Sequence, residues 1–135
     1  MISKEEYVAQ HFPEVECGAE PVGNKILVQL RTLKEKSKGG IILANDTRDF
    51  NNGNTRIAIV RKLGQIAFRH RENGLPWTEG AWAKVGDLVI IPAFGGFRVD
   101  IPIEGSEDKA VFATIHDYSI EMVITGNLEA FDKVI

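Results

Sequence analysis

Large apolar residues fall in short runs of strand length, separated by turn residues. Residues 25–31 read Lys-Ile-Leu-Val-Gln-Leu-Arg and predict a first strand. Residues 56–63 predict a second, through Ile57, Ala58, Ile59 and Val60, with Gly64 ending it. The turn Val85-Gly86-Asp87 leads into Leu88-Val89-Ile90-Ile91, which Pro92 closes. Gly95-Gly96 turns the chain back into Phe97-Arg98-Val99-Asp100-Ile101, where apolar and polar positions alternate. Residues 109–115 and 120–124 predict the last strands, with a turn at His116-Asp117-Tyr118-Ser119 between them. Residues 66–68 and 77–82 flank the tip Arg71-Glu72-Asn73-Gly74. Asn-Gly between apolar arms is a strong hairpin signal, because both residues tolerate positive φ. Many short strands at close spacing predict an all-β domain, a small barrel or sandwich. No internal repeat is visible.

Two segments break this pattern. Ser3 and Glu6 have the spacing of a capping box, with Ile2 and Tyr7 placed for a hydrophobic staple. Tyr7, Val8, His11 and Phe12 share one helical face, and Pro13 stops the run, so a short helix is expected near residues 4–11. The second segment runs from Thr32 to Asn54, polar at both ends, with Ile41-Ile42-Leu43 in its middle just after Gly39-Gly40. So long a connection is unusual inside a compact domain. The three aliphatics are either a buried strand or an apolar segment offered to a partner. The charged approach from Lys34 to Lys38 and the Asn-rich exit from Asn51 to Asn54 favour the second reading.

Composition narrows the function classes. The chain has 135 residues, 44% hydrophobic and 26% charged, which suits one globular domain. Glycine, at 13 residues, agrees with a turn-rich β design. A formal charge of -3 makes a phosphate-backbone binder a poor default. Cys17 stands alone, so a disulfide within the chain is excluded, and a reducing, cytoplasmic setting is expected. No apolar run is long enough to suggest a membrane span, and the acidic start lacks the apolar core of a secretory signal.

The search for catalytic chemistry returns nothing. His11, His70 and His116 show no metal-ligand spacing. His116-Asp117 in a turn reads as a structural pair rather than half of a triad. Gly39-Gly40 and Gly95-Gly96 lack the residues of a phosphate loop. Acidic neighbours make Cys17 a poor nucleophile. No enzyme activity, cofactor or metal is expected.

Taken in order, these stretches resemble the ten-kilodalton co-chaperonins, the GroES family. The resemblance runs from about Gly23 to Gly126. Residues 24–31 look like the family's first strand. Lys36-Ser37-Lys38-Gly39-Gly40-Ile41-Ile42-Leu43 is similar to its mobile loop, and residues 55–60 to the strand returning from it. Glu72, Asn73 and Gly74 resemble the tip of its roof hairpin, and residues 84–90 its Val-Gly-Asp strand. The resemblance implies a small GroES-like β-barrel over residues 23–126, with a mobile loop at 32–54 and a roof hairpin at 65–83. Residues 1–22 would be an N-terminal extension and 127–135 a C-terminal tail. It further implies a homo-oligomer, a heptameric ring, that caps a GroEL-like chaperonin through Gly39, Gly40, Ile41, Ile42 and Leu43 on its apical domains, with no nucleic acid or membrane partner. The extension, the longer segment 65–83 with Trp77 and Trp82, the insertion at 103–108 and the tail depart from the family pattern. Such departures look like a bacteriophage-encoded version. The competing readings are a viral structural or assembly protein reusing the barrel, and a nucleic-acid-binding barrel using Arg69, His70 and Arg71.

Overall fold

The computed structural model describes residues 3–31, 55–92, 97–106 and 109–134. Six strands form one antiparallel sheet: β1 (Lys25–Leu30), β2 (Thr55–Leu63), β3 (Leu88–Pro92), β4 (Arg98–Pro102), β5 (Lys109–His116) and β6 (Met122–Val123). Their order across the sheet is β4-β5-β1-β2-β3-β6. Helix α1 (Lys4–His11) precedes them, a short 3-10 helix (Asp117–Ser119) joins β5 to β6, and α2 (Leu128–Val134) follows. This is the small all-β fold that the spacing of the apolar runs predicts.

Alternation along each strand sorts side chains onto two faces. Ile26, Val28 and Leu30 of β1 join Ala58, Val60, Val89, Ile91, Ala113 and Ile115 in one buried cluster, with Phe68, Ala83 and Ile120. The intervening positions are buried too. Ile57, Ile59, Leu88 and Ile90 pack with Tyr7 and Phe12 of the N-terminal segment and with Ile124, Leu128 and Phe131 near the C-terminus. Leu27, Ala110 and Phe112 pack with Val15, Cys17, Val99 and Ile101. Hence every residue from Ile26 to Leu30 is buried, as is every residue from Leu88 to Ile91. β4 keeps the half-exposed alternation its sequence shows.

Helix α1 forms as its capping box predicts. The Ser3 hydroxyl accepts from the Glu6 N–H at 3.1 Å, and the Ser3 N–H donates to the Glu6 carboxylate at 3.0 Å. Eight residues are too few for a stable isolated helix, so docking of Tyr7 and Phe12 must hold it. Each such burial stabilises by roughly 1.5–3 kcal/mol. Helix α2 is not predicted by the sequence pattern. Its seven residues give little periodicity, and it is held through Leu128 and Phe131.

Two glycines are required by geometry. A Cβ on Gly64 would lie 2.3 Å from the Gly23 carbonyl oxygen and 2.7 Å from that of Lys25, which leaves no room. Gly86 turns with φ 97, and its N–H donates to Val60 O at 2.8 Å. The Asp87 carboxylate accepts from the Lys84 N–H at 3.0 Å, so the Val-Gly-Asp turn is fixed to β2 and closed by its own aspartate. The last predicted strand is shorter than its apolar run, with only Met122 and Val123 in the ladder opposite Ile90 and Val89.

Candidate functional site

The segment singled out by sequence, with Gly39, Gly40, Ile41, Ile42 and Leu43, lies outside the described residues. The structure describes the two strands that carry it. β1 leads into residues 32–54 and β2 follows them, and these strands are paired, with Leu30 opposite Ala58. At the end of β1 the Arg31 N–H donates to Ile57 O at 3.0 Å. β2 is tied on its other edge to β3, with Thr55 opposite Pro92 and Arg56 opposite Ile91. Both ends of the segment therefore spring from neighbouring strands of one sheet, not from separate parts of the fold.

The N-terminal segment packs beside this root. Arg31 donates through Nη1 to the Tyr7 hydroxyl at 3.3 Å. Gln29, fully buried, donates to Pro13 O at 2.8 Å and accepts from Arg61 Nε at 2.9 Å. Arg61 is the extra residue of a β-bulge, since Leu27 pairs with Lys62 and Val28 with Val60. Burial lowers the pKa of its guanidinium from the ordinary arginine value, and the Glu14 carboxylate partly opposes that shift. The sequence holds one sign of this network, a glutamine inside the apolar run of β1. Its partners, distant in sequence, carry no sign.

The second predicted site, the tip at Glu72, Asn73 and Gly74, is present as a tight turn rather than a two-stranded hairpin. A single bridge, Arg69 to Pro76, stands where the apolar arms predict strands. The His70 N–H donates to Leu75 O and the Gly74 N–H to His70 O, each at 2.8 Å. Gly74 takes φ 74, while the Asn73 side chain accepts from the Leu75 N–H at 2.9 Å. Arg69 Nη1 donates to Gly74 O at 2.8 Å, so one of the basic side chains raised as nucleic-acid contacts closes its own turn. Below the tip, Trp77 meets Phe68 and Trp82 edge-on, with ring centres 5.4 and 5.0 Å apart. Phe68 belongs to the first cluster, and Trp77 packs against it.

His116 and Asp117 act as structural groups. The Asp117 carboxylate, buried, accepts from the Phe68 N–H at 2.8 Å and from Asn24 Nδ2 at 3.4 Å. It thereby holds Phe68, a non-glycine residue at φ 61, within the segment 65–83. His116 stacks on Tyr118 with ring centres 4.9 Å apart. Among the described residues, no group of His, Cys, Asp and Glu gathers that could hold a metal ion. Among them also, no helix is long and apolar enough to cross a membrane.

Comparison with known proteins agrees with this architecture. The family described as Chaperonin 10 Kd subunit matches residues 18–120. That span takes in β1 to β5, the segment 65–83 and the Val-Gly-Asp turn, together with the segment 32–54. It leaves out α1, β6 and α2. The co-chaperonin GroES of Lactobacillus acidophilus is 26% identical over 81 residues, covering 60% of this chain and 78% of that protein. On the breadth of the family match and the order of its strands and turns, the chain belongs to the chaperonin 10 Kd subunit family, the GroES-type co-chaperonins.

Proposed function

We propose that this chain is one subunit of a ring, a heptamer, that caps a GroEL-like chaperonin and encloses a folding substrate. Each subunit would offer Gly39, Gly40, Ile41, Ile42 and Leu43 to an apical domain of the chaperonin. The observation that carries the reading is the order of the motifs within the family match. Gly-Gly-Ile-Ile-Leu lies between two paired strands, and Val-Gly-Asp follows as the turn fixed to the second of them.

Energetics suit a reversible cap. Burying one Ile or Leu is worth roughly 1.5–3 kcal/mol, so three give roughly 5–9 kcal/mol gross. Ordering each residue of the binding segment costs roughly 1–2 kcal/mol, which offsets most of that gain. One subunit would bind weakly, and a ring would bind tightly through linked contacts. Weak single contacts also permit release when the chaperonin changes shape. Nucleotide hydrolysis would belong to the chaperonin, with no catalytic residue supplied here, and the complex would work in the cytoplasm.

The test replaces Ile41 and Ile42 by Ser in the full chain. The variant is expected to keep the parent's ring mass by native mass spectrometry and to lose co-sedimentation with a bacterial chaperonin in every nucleotide state. Normal co-sedimentation of this variant would refute the assignment of the binding segment.

A further inference from the structure

We infer that the N-terminal helix clamps the root of the chaperonin-binding segment, with Tyr7 and Arg31 as its positioning residues. The inference rests on the reading of residues 39–43 given above. Arg31 is the residue from which the chain enters that segment. Its side chain donates to the Tyr7 hydroxyl at 3.3 Å, and its backbone N–H donates to Ile57 O at 3.0 Å. One residue thus ties α1, β1 and β2 together at the segment's root.

The Tyr7 end of the contact is itself fixed. Tyr7 is 2% exposed and packs in the cluster of Ile57 and Ile59, with the His11 ring centre 4.6 Å away and that of Phe12 6.2 Å away. The capping box at Ser3 and Glu6 sets the start of the helix that carries it. Two residues before Arg31, Gln29 donates to Pro13 O, just beyond the end of α1. Further along, Lys62 of β2 pairs with Glu16 at 3.2 Å. The N-terminal segment therefore contacts β1 at Gln29, the residue just after β1 at Arg31, and β2 at Lys62.

These contacts are additional to the strand ladder. Strand pairing between β1 and β2 has its own backbone ladder, and the family match starts only at residue 18, after the clamp. What the clamp adds is a fixed starting point for a tethered binding segment. A segment whose root is held loses less freedom on binding, and a small gain per subunit compounds across a ring.

The decisive variant is Tyr7→Phe in the full chain, which removes the hydroxyl and keeps the buried ring. Ring mass should match the parent, and melting should fall by no more than the loss of one hydrogen bond allows. Amide exchange at Arg31 should quicken by about tenfold or more, as expected for losing a hydrogen bond to a charged donor. Dissociation from a bacterial chaperonin ring should quicken by about tenfold through the linked contacts. A double-mutant cycle with Arg31→Gln should show coupling, with the double variant dissociating no faster than the faster single variant. Parent-like dissociation of Tyr7→Phe, with or without faster exchange, overturns the clamp, as do effects that simply multiply in the double variant. The Ile41→Ser/Ile42→Ser protein separates the two ideas. If it still binds, the binding-segment reading fails and the clamp falls with it. If it does not bind while Tyr7→Phe dissociates like the parent, the clamp alone is wrong.

Discussion

One face of the sheet is filled by the strands and the segment 65–83, and the other is covered by the two chain ends. The first face is almost wholly aliphatic and aromatic, from Ile26 and Val28 across to Ile115, with Phe68 at its end. The second mixes Ile57, Ile59, Leu88 and Phe112 with buried Gln29 and partly buried Arg61. Its cover comes from Tyr7, Phe12 and Val15 of the N-terminal segment and from Leu128 and Phe131 near the C-terminus. Without those ends the second face would present a contiguous apolar patch to water, a liability for any soluble chain. The second face is also less completely satisfied. Among the described residues, Arg61 Nη2 is buried without a hydrogen-bond partner. An unpaired buried donor carries a desolvation cost that an aliphatic side chain does not.

The comparison is broken most directly by truncating one anchor on each face. Phe12, 1% exposed, lies on the covered face, and Ile91, 2% exposed, on the other. Phe12→Ala should cost about 3–5 kcal/mol and Ile91→Ala about 2–5 kcal/mol in urea denaturation. A cost below about 1 kcal/mol for Phe12→Ala would make the N-terminal segment a loose strap, not part of a second core. A finer probe is Ser3→Ala, which removes the hydroxyl accepting from the Glu6 N–H. It should lower stability by about 1 kcal/mol, seen as a shift in melting temperature, with faster exchange confined to α1.

The smallest expected effect lies at the end of the first face, where Trp82 leans on the cluster through Phe68 and Trp77. The Trp82 indole N–H donates to Glu79 Oε2 at 2.8 Å and holds that carboxyl below the usual carboxylate range. Because the folded pKa is depressed, the contact contributes fully above the ordinary carboxylate pKa. It is lost as pH falls through the lower folded value. Tryptophan fluorescence should show a small step in that acid range, absent in Glu79→Gln. A step that survives the substitution would assign it to another group.

Much of the fold is legible in the chain because its signals are local. The capping box at Ser3 and Glu6 marks α1, and Pro13 marks its end. The runs at 25–31, 56–63, 88–91, 97–101 and 109–115 become β1 to β5 with shifts of a residue or so at their ends. The arms at 66–68 and 77–82 fail as strands because the chain there closes its bonds in tight turns. The Ala67 N–H donates to Gly64 O, Arg69 to Ile66 O and Gly80 to Trp77 O. Of the candidate site, residues 39–43 stand out in the sequence alone, as three aliphatics between polar flanks. The contacts at its root do not, since Tyr7 with Arg31 and Pro13 with Gln29 join residues far apart in the chain.

The sequence by itself determined the strands, the capped helix, the glycine-dependent turns and the motif order that places the chain among the co-chaperonins. Tertiary structure decided which side of each strand meets which partner. β1 and β3 are buried on both faces, so alternation there cannot name an inside and an outside. That choice depends on where the chain ends return. Residues 3–17 and α2 come back over the second face because only there do Ile57, Ile59, Leu88 and Phe112 offer them apolar surface to bury.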